Sequence, residues 1–308
     1  MIDAAATETP IAPAVLVLPA FVRDEILDER QPWLDRYEFE NTIDLPGAPE
    51  PLQYTESTSA GDGTADGGLA ILPTGMGKST TATTVASVLS SPETDLSDTL
   101  FLSVGVAGGP PTDTTIGSVV LAESIVDWDV KVRWEAVEGD GGVPLALNPY
   151  RESDFVSRPD PALLDWATDL AGDVELADDP KAAAHRSRFE GRGAHEDPAV
   201  VVGTNVCGDE FWHGSVLAER VQWLCDQYDA GTYCATEMED AATATALERF
   251  GKLDDYLSVR GIANFDRPAA GQRISESLAS DEFDVGFELG LENAVRVASA
   301  LVDERLHS

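Results

Sequence analysis

The chain has 308 residues, of which 56 are Asp or Glu and only 20 are Lys or Arg, giving a formal net charge of −36. So acidic a surface repels a phosphate backbone, which excludes nucleic acid as a partner, and no apolar run reaches the ~18 residues that a membrane-spanning helix needs. Hydrophobic residues still make up 43% of the chain, enough to build a core, which sets disorder aside.

At the N-terminus, Met1-Ile2-Asp3-Ala4 lacks the basic segment that opens a secretory signal. A reducing, cytoplasmic setting is expected. The acids are spread from Asp3 to Glu304. That dispersal suits a protein adapted to molar salt, where the Debye length shrinks to about 3 Å and self-repulsion is screened. The first apolar run, Val15–Leu18, reads as a buried strand, and the loop behind it carries Arg23 and Glu25. Residues 57–68 are rich in Ser, Gly and Asp and read as a surface loop. A second apolar run at 69–72 leads into Thr74-Gly75-Met76-Gly77-Lys78-Ser79-Thr80 and then a helix containing Ala82, Val85, Ala86 and Leu89.

At first sight this is an ATP-binding loop, but the pattern G-x-x-x-x-G-K-[ST] needs glycine at position 72, which is Leu72. An ATPase or kinase is therefore not expected. Two readings stay open. Glycines and exposed amides at a helix start can hold an anion, and the same residues also fit a plain strand-to-helix turn.

Further strands are predicted at 100–104, 119–122, 130–134, 200–203 and 257–262. Asp160-Pro161 is a helix start, with Leu163, Trp166 and Leu170 on one face. Leu217, Val221, Leu224 and Tyr228 repeat the spacing, as do Phe287, Leu291, Ala294, Val295, Ala298 and Leu301. Strands alternating with helices predict an α/β layered fold. Residues 151–198 are the most polar stretch and read as an insertion beside the sheet within a single domain spanning 1–308. Cys207, Cys225 and Cys234 are odd in number and lack C-x-x-C spacing, so neither a disulfide framework nor a metal site is expected.

Val104-Gly105-Val106-Ala107-Gly108-Gly109 with Ile116-Gly117-Ser118-Val119-Val120 resembles a G-x-A-G…I-G-D-V-V block of nucleoside phosphorylases and nucleosidases. Cys207-Gly208-Asp209-Glu210-Phe211-Trp212 resembles their base-pocket segment. Glu237-Met238-Glu239-Asp240 resembles their ribose turn, and Val259-Arg260-Gly261-Ile262-Ala263-Asn264 resembles the strand that ends in their catalytic aspartate. Together with Thr74-Gly75-Met76-Gly77-Lys78, Phe211-Trp212-His213-Gly214 and Asn264-Phe265-Asp266-Arg267-Pro268, these segments are most similar to the purine nucleoside permease family, from about residue 15 to residue 302.

The resemblance implies a three-layer α-β-α domain with a central mixed sheet, usually assembled as a homo-oligomer. It also implies cleavage of purine nucleosides, most readily phosphorolysis of 6-oxopurine nucleosides with phosphate as co-substrate and no other cofactor. The alternative is a non-catalytic nucleoside-binding protein that supports uptake. By the same resemblance Met238 and Glu239 would bind ribose, Phe211 and Trp212 the base, and Arg23, Gly75, Gly77 and Ser79 phosphate. Glu25 would orient a water. Asn264 stands where the nucleosidases place their proton donor; an amide cannot give up that proton but can donate and accept hydrogen bonds at a 6-oxopurine edge. Asp266 is the alternative acid. His213 is expected at the surface and outside the catalytic set.

Overall fold

The computed structural model describes residues 9–23, 27–55, 67–135, 143–150, 155–278 and 285–307, with the side chains of Arg23 and Leu27 outside the described set. The strands are β1 (Val15–Leu18), β2 (Val22–Arg23), β3 (Leu27–Asp28), β4 (Asn41–Ile43), β5 (Leu52–Tyr54), β6 (Leu69–Ile71), β7 (Leu100–Gly109), β8 (Val119–Asp127), β9 (Lys131–Arg133), β10 (Leu145–Leu147), β11 (Val156–Ser157), β12 (Val200–Cys207), β13 (Tyr233–Glu237) and β14 (Tyr256–Phe265). The helices are α1 (Gln31–Leu34), α2 (Lys78–Ser90), α3 (Pro161–Ala171), α4 (Pro180–Arg186), α5 (Ser215–Gln227), α6 (Asp240–Arg249), α7 (Ile274–Ser277) and α8 (Phe287–His307).

One ten-stranded mixed sheet organises them, in the order β11-β8-β12-β13-β7-β1-β6-β5-β4, with β14 pairing both β7 and β8. β7 runs parallel to β1 and to β14 and meets β13 antiparallel at Gly108 and Thr236. The pairings β7–β14–β8–β12–β13–β7 therefore close on themselves. Closure removes an exposed edge from this part of the sheet.

The sheet is buried on both faces, which is why β1, β6 and the first half of β7 read as unbroken apolar runs. One face carries α8 and α3: Leu291, Val295, Ala298 and Leu301 pack with Val15, Val17, Leu102 and Val259, and Leu163, Trp166 and Leu170 lie against this cluster. The other carries α2 and α6, where Val85 and Val88 meet Ala244 and Leu247. α3 opens as expected, the Asp160 carboxylate accepting from the amides of Ala162 and Leu163 at 2.8 and 3.1 Å, with Pro161 next in line.

Residues 130–134 do not join the main sheet; β9 pairs only with β10. Nor does the segment expected as an insertion stay wholly apart, because β11 adds an edge strand to β8. Of the loop expected at 57–68, only Gly67 and Gly68 are described.

Candidate active site

The middle of β7 and of β14 and the C-terminal end of β13 bring together acids from distant parts of the chain around one arginine. Arg260, on β14, is 1% exposed and pairs with Asp240 through both Nη2 and Nε, the latter at 3.1 Å from Oδ2. Its Nη2 also lies 3.3 Å from Glu237 Oε2 and 2.5 Å from Ser103 Oγ. Asp240 is further held by Asn205 Nδ2 at 2.6 Å, by the Tyr256 hydroxyl at 2.9 Å and by Ser258 Oγ. A carboxylate at 0% exposure with this many donors is a satisfied buried ion. Burial works against its charge, but Arg260 and the surrounding hydrogen bonds outweigh that and hold its pKa below the usual carboxylate range.

Glu237 ends β13 and turns its Oε2 onto the amides of Glu239 and Asp240, at 2.7 and 2.9 Å, which caps the start of α6. Glu239 follows, 6% exposed, with Oε1 accepting from the Gly77 amide at 2.9 Å. Burial first, and the charge of Asp240 second, push Glu237 up to about 7. Burial and the charge of Glu237 push Glu239 up to about 8 against the pull of Arg260. Too few positive charges meet these acids for all of them to ionise together.

The fourth acid is Glu29, which the sequence reading did not single out. It is 1% exposed; Oε2 accepts from Ala20 at 2.7 Å and Oε1 from Val106 at 2.9 Å, tying the loop after β1 to β7. Burial raises its pKa in spite of Arg260 and these amides. Glu29 Oε1 and Arg260 Nη1 converge over Gly105, where a Cβ would stand 2.6 and 2.7 Å from them. Only glycine fits. A signal for the cluster existed in the sequence: an arginine inside the apolar run 257–262 has to be buried, and a buried arginine needs carboxylates.

The other expected site residues fall in several places. Met238 is partly buried beside Glu239. Asn264 lies across β7: a Cβ on Gly108 would stand 3.2 Å from its Nδ2 and 3.4 Å from Thr236 Cγ2, next to Glu237. One amide hydrogen of Asn264 goes to Phe265 O at 3.1 Å. Asp266 is buried and salt-bridged to Arg267 at 2.6 Å; burial raises its pKa, opposed by that arginine. Asn264 and Arg267 line a narrow crevice with His185, Phe189, His213 and Ser277. His213 is buried here rather than at the surface, its Nε2 3.2 Å from Ser277 Oγ. Phe211 is 63% exposed, whereas Trp212 packs inward against Trp128 and Tyr233, with ring centroids 6.3 and 6.0 Å away. Trp212 thus sits where its ring fills core.

The glycine loop is engaged by the protein's own acids. Gly77, at φ +86°, takes a conformation suited to glycine and caps α2. Its amide is given to Glu239, and the Lys78 amide to Asp209 Oδ1 at 2.8 Å. Ser79 is exposed, and a Cβ on Gly75 would collide with Thr80. Glu25 and the side chain of Arg23 lie outside the described residues. A cavity of about 330 Å³ opens between Phe21, Val22, Pro73 and Met76, on the two loops that contact Glu29 and Glu239, with Pro49 of the β4–β5 connection also lining it. A larger one, about 390 Å³, lies beside Leu100 and Trp166 at the opposite end of β7 and is remote from these acids. Among the described residues no group of His, Cys, Asp or Glu is arranged to hold a metal ion, and no helix is long and apolar enough to cross a membrane.

Solved structures share this architecture. A futalosine hydrolase of Helicobacter pylori superposes with a TM-score of 0.62 at 19% identity, covering 96% of this chain and 98% of that one. A 5′-methylthioadenosine/S-adenosylhomocysteine nucleosidase from Neisseria meningitidis, in complex with methylthio-immucillin-A, gives 0.57 at 20% identity, covering 94% and 98%. The fold is that of the nucleoside phosphorylases and nucleosidases. Within that class the purine nucleoside permease family model matches residues 12–308, and the chain belongs to that family. It is 27% identical over 307 residues to a purine nucleoside permease of Candida albicans, covering 92% of this chain and 74% of that protein. It is also 27% identical over 258 residues to the probable purine nucleoside permease of Schizosaccharomyces pombe, covering 75% and 74%.

Proposed function

We propose that this protein binds purine nucleosides and cleaves their N-glycosidic bond, with water as the nucleophile. The observation that carries this reading is the cluster of Glu29, Glu237, Glu239 and Asp240 around Arg260, the one cation these acids meet among the described residues. A phosphate dianion would be repelled there. Of the residues expected to hold it, Gly77 already gives its amide to Glu239, and the neighbouring amide of Lys78 goes to Asp209. The geometry thus favours hydrolysis over the phosphorolysis expected from the sequence.

In this mechanism the Glu239 oxygen left over from the Gly77 contact meets the ribose hydroxyls, donating its own proton to one of them below about pH 8 and accepting from them once the carboxyl is ionised. Glu29 takes a proton from a water near Arg260 as the water oxygen bonds to C1′. The C1′–N9 bond breaks and its electron pair leaves with the base. Because burial raises the pKa of Glu29, its carboxylate is a stronger base than an ordinary one. Asn264 donates its second amide hydrogen to the departing purine and stabilises the charge that develops there, while its carbonyl suits the N–H edge of a 6-oxopurine.

A second reading, nucleoside binding in support of uptake, draws on the permease name of the Candida albicans relative. Incubating the pure protein with inosine separates the two. Release of free hypoxanthine without added phosphate supports hydrolysis. Saturable binding with the nucleoside recovered intact supports the uptake reading.

A further inference from the structure

Lys78 has no part in the chemistry proposed above, yet its side chain is firmly held. Nζ lies 2.8 Å from Asp127 Oδ1 and 2.7 Å from Asp129 Oδ2, at the end of β8 and in the turn that follows. The ion pairs are only partly exposed, at 18% for Lys78 against 21% and 30% for the aspartates. The backbone reinforces them. The Lys78 amide donates to Asp209 Oδ1 at 2.8 Å, the Asp209 amide to Asp129 Oδ2 at 2.8 Å, and the Asp129 amide to Asp127 Oδ1 at 3.0 Å. The start of α2 is thereby fastened to the loops behind β8 and β12. The adjacent amide, that of Gly77, is the one that meets Glu239.

A glycine loop at positive φ has no side chain of its own to fix its direction, so a neighbouring contact must do so. We propose that Lys78 is a positioning residue for Glu239: by pinning the start of α2 to Asp127 and Asp129, it aims the Gly77 amide at Glu239 Oε1 and leaves the other oxygen to the nucleoside. The proposal rests on the reading of Glu239 as the ribose acceptor. It gives a role to a lysine whose side chain is turned to Asp127 and Asp129 and away from the acids around Arg260. Burial would lower the pKa of Lys78, but the hydrogen bonds and charges of Asp127 and Asp129 overcome this and raise it to about 12, so the anchor stays charged. Glu239 itself faces Glu237, Glu29 and Arg260 as well as the Gly77 amide. Among these the amide is the contact that Lys78 controls.

The test reads the ionisation of Glu239 in the ligand-free protein by carbon-13 NMR of labelled glutamate, the resonance being assigned by its loss in Glu239→Gln. In Asp127→Asn/Asp129→Asn the backbone amides keep their side-chain oxygen acceptors, but the ion pairs to Lys78 are gone. Through-space charge alone predicts that removing two anions lowers the Glu239 pKa. Loss of positioning predicts the opposite, a rise of about one unit as a charge-assisted hydrogen bond is lost. Inosine should then bind roughly tenfold more weakly. A pKa that is unchanged or lower overturns the proposal. Should the double variant not fold, Lys78→Met measured in molar KCl, which screens the direct charge effect, gives the same decision: a rise supports the anchor and no change overturns it. A risen pKa with unchanged inosine affinity would leave the anchor standing and remove Glu239 from the ribose.

Discussion

Gly77 donates its amide hydrogen to Glu239 Oε1 across 2.9 Å, joining the start of α2 to the turn before α6. The loop that resembles a nucleotide-phosphate cradle therefore holds a carboxylate of the protein itself. Neither ATP nor ATP with magnesium should shift the melting temperature, whereas a nucleoside should raise it by mass action. Thermal melts with each ligand check this, and a clear ATP–magnesium shift would restore a nucleotide-binding role for Gly75, Gly77 and Ser79.

Arg260 is the counter-ion for the buried acids, so removing it strands them. Arg260→Met should cost about 3–5 kcal/mol of stability, the range for breaking a buried pair from one side. Lysine should restore little, since a single ammonium cannot reach Asp240 and Glu237 with Arg260's forked geometry. Urea unfolding of the three proteins measures this. A loss below about 1 kcal/mol, the size of a surface pair, would mean that the cluster is not buried in solution.

Glu237 and Glu239, at about 7 and about 8, both lie above their ordinary value. The folded protein therefore keeps protons that the unfolded chain has released. Their contribution to stability is fully present below the unfolded pKa near 4.5 and is lost as pH rises through about 8. Glu239→Gln, which mimics the protonated acid, should match the wild type near pH 5 and exceed it above pH 8 by on the order of 2 kcal/mol. Melting curves at the two pH values decide the matter, and a pH-independent difference would contradict it.

Asn264 can pair with the O6 and N7 edge of an oxopurine, but meets a donor where adenine carries its amino group. Inosine and guanosine should be preferred to adenosine by about 1–3 kcal/mol, the cost of a buried mismatch. Asn264→Asp should move the balance towards adenosine, because the acid can protonate N7. Relative kcat/KM for the three nucleosides in both proteins tests this; equal handling of inosine and adenosine by the wild type would take Asn264 away from the base.

Much of the framework was legible because burial on both faces writes strands such as Val15–Leu18 as apolar runs, and because the one-sided burial of α8 writes a helical period. What hid the rest is physical. β7 and β14 continue beyond their apolar halves into Gly105–Gly109 and Asn264, where close contacts rather than hydrophobicity set the residues. β4 and β5 have three residues each, too few to show a period. β13 reads only as Tyr-Cys-Ala-Thr-Glu and owes its place to partners distant in sequence. At the site, Glu239 could be picked from its turn. Glu29 could not, because nothing local separates it from Glu25 and its burial arises only when β7 and Arg260 close over it.

Attack on C1′ of a bound purine nucleoside by water, and not by phosphate, is what separates hydrolysis from phosphorolysis here. It is tested most directly by incubating the protein with inosine in oxygen-18 water, with and without phosphate, and analysing the sugar product by mass spectrometry at early times. Hydrolysis predicts ribose carrying one oxygen-18 atom at C1, formed at the same rate whether or not phosphate is present. Ribose 1-phosphate appearing only when phosphate is added, or inosine recovered unchanged in both reactions, would contradict it.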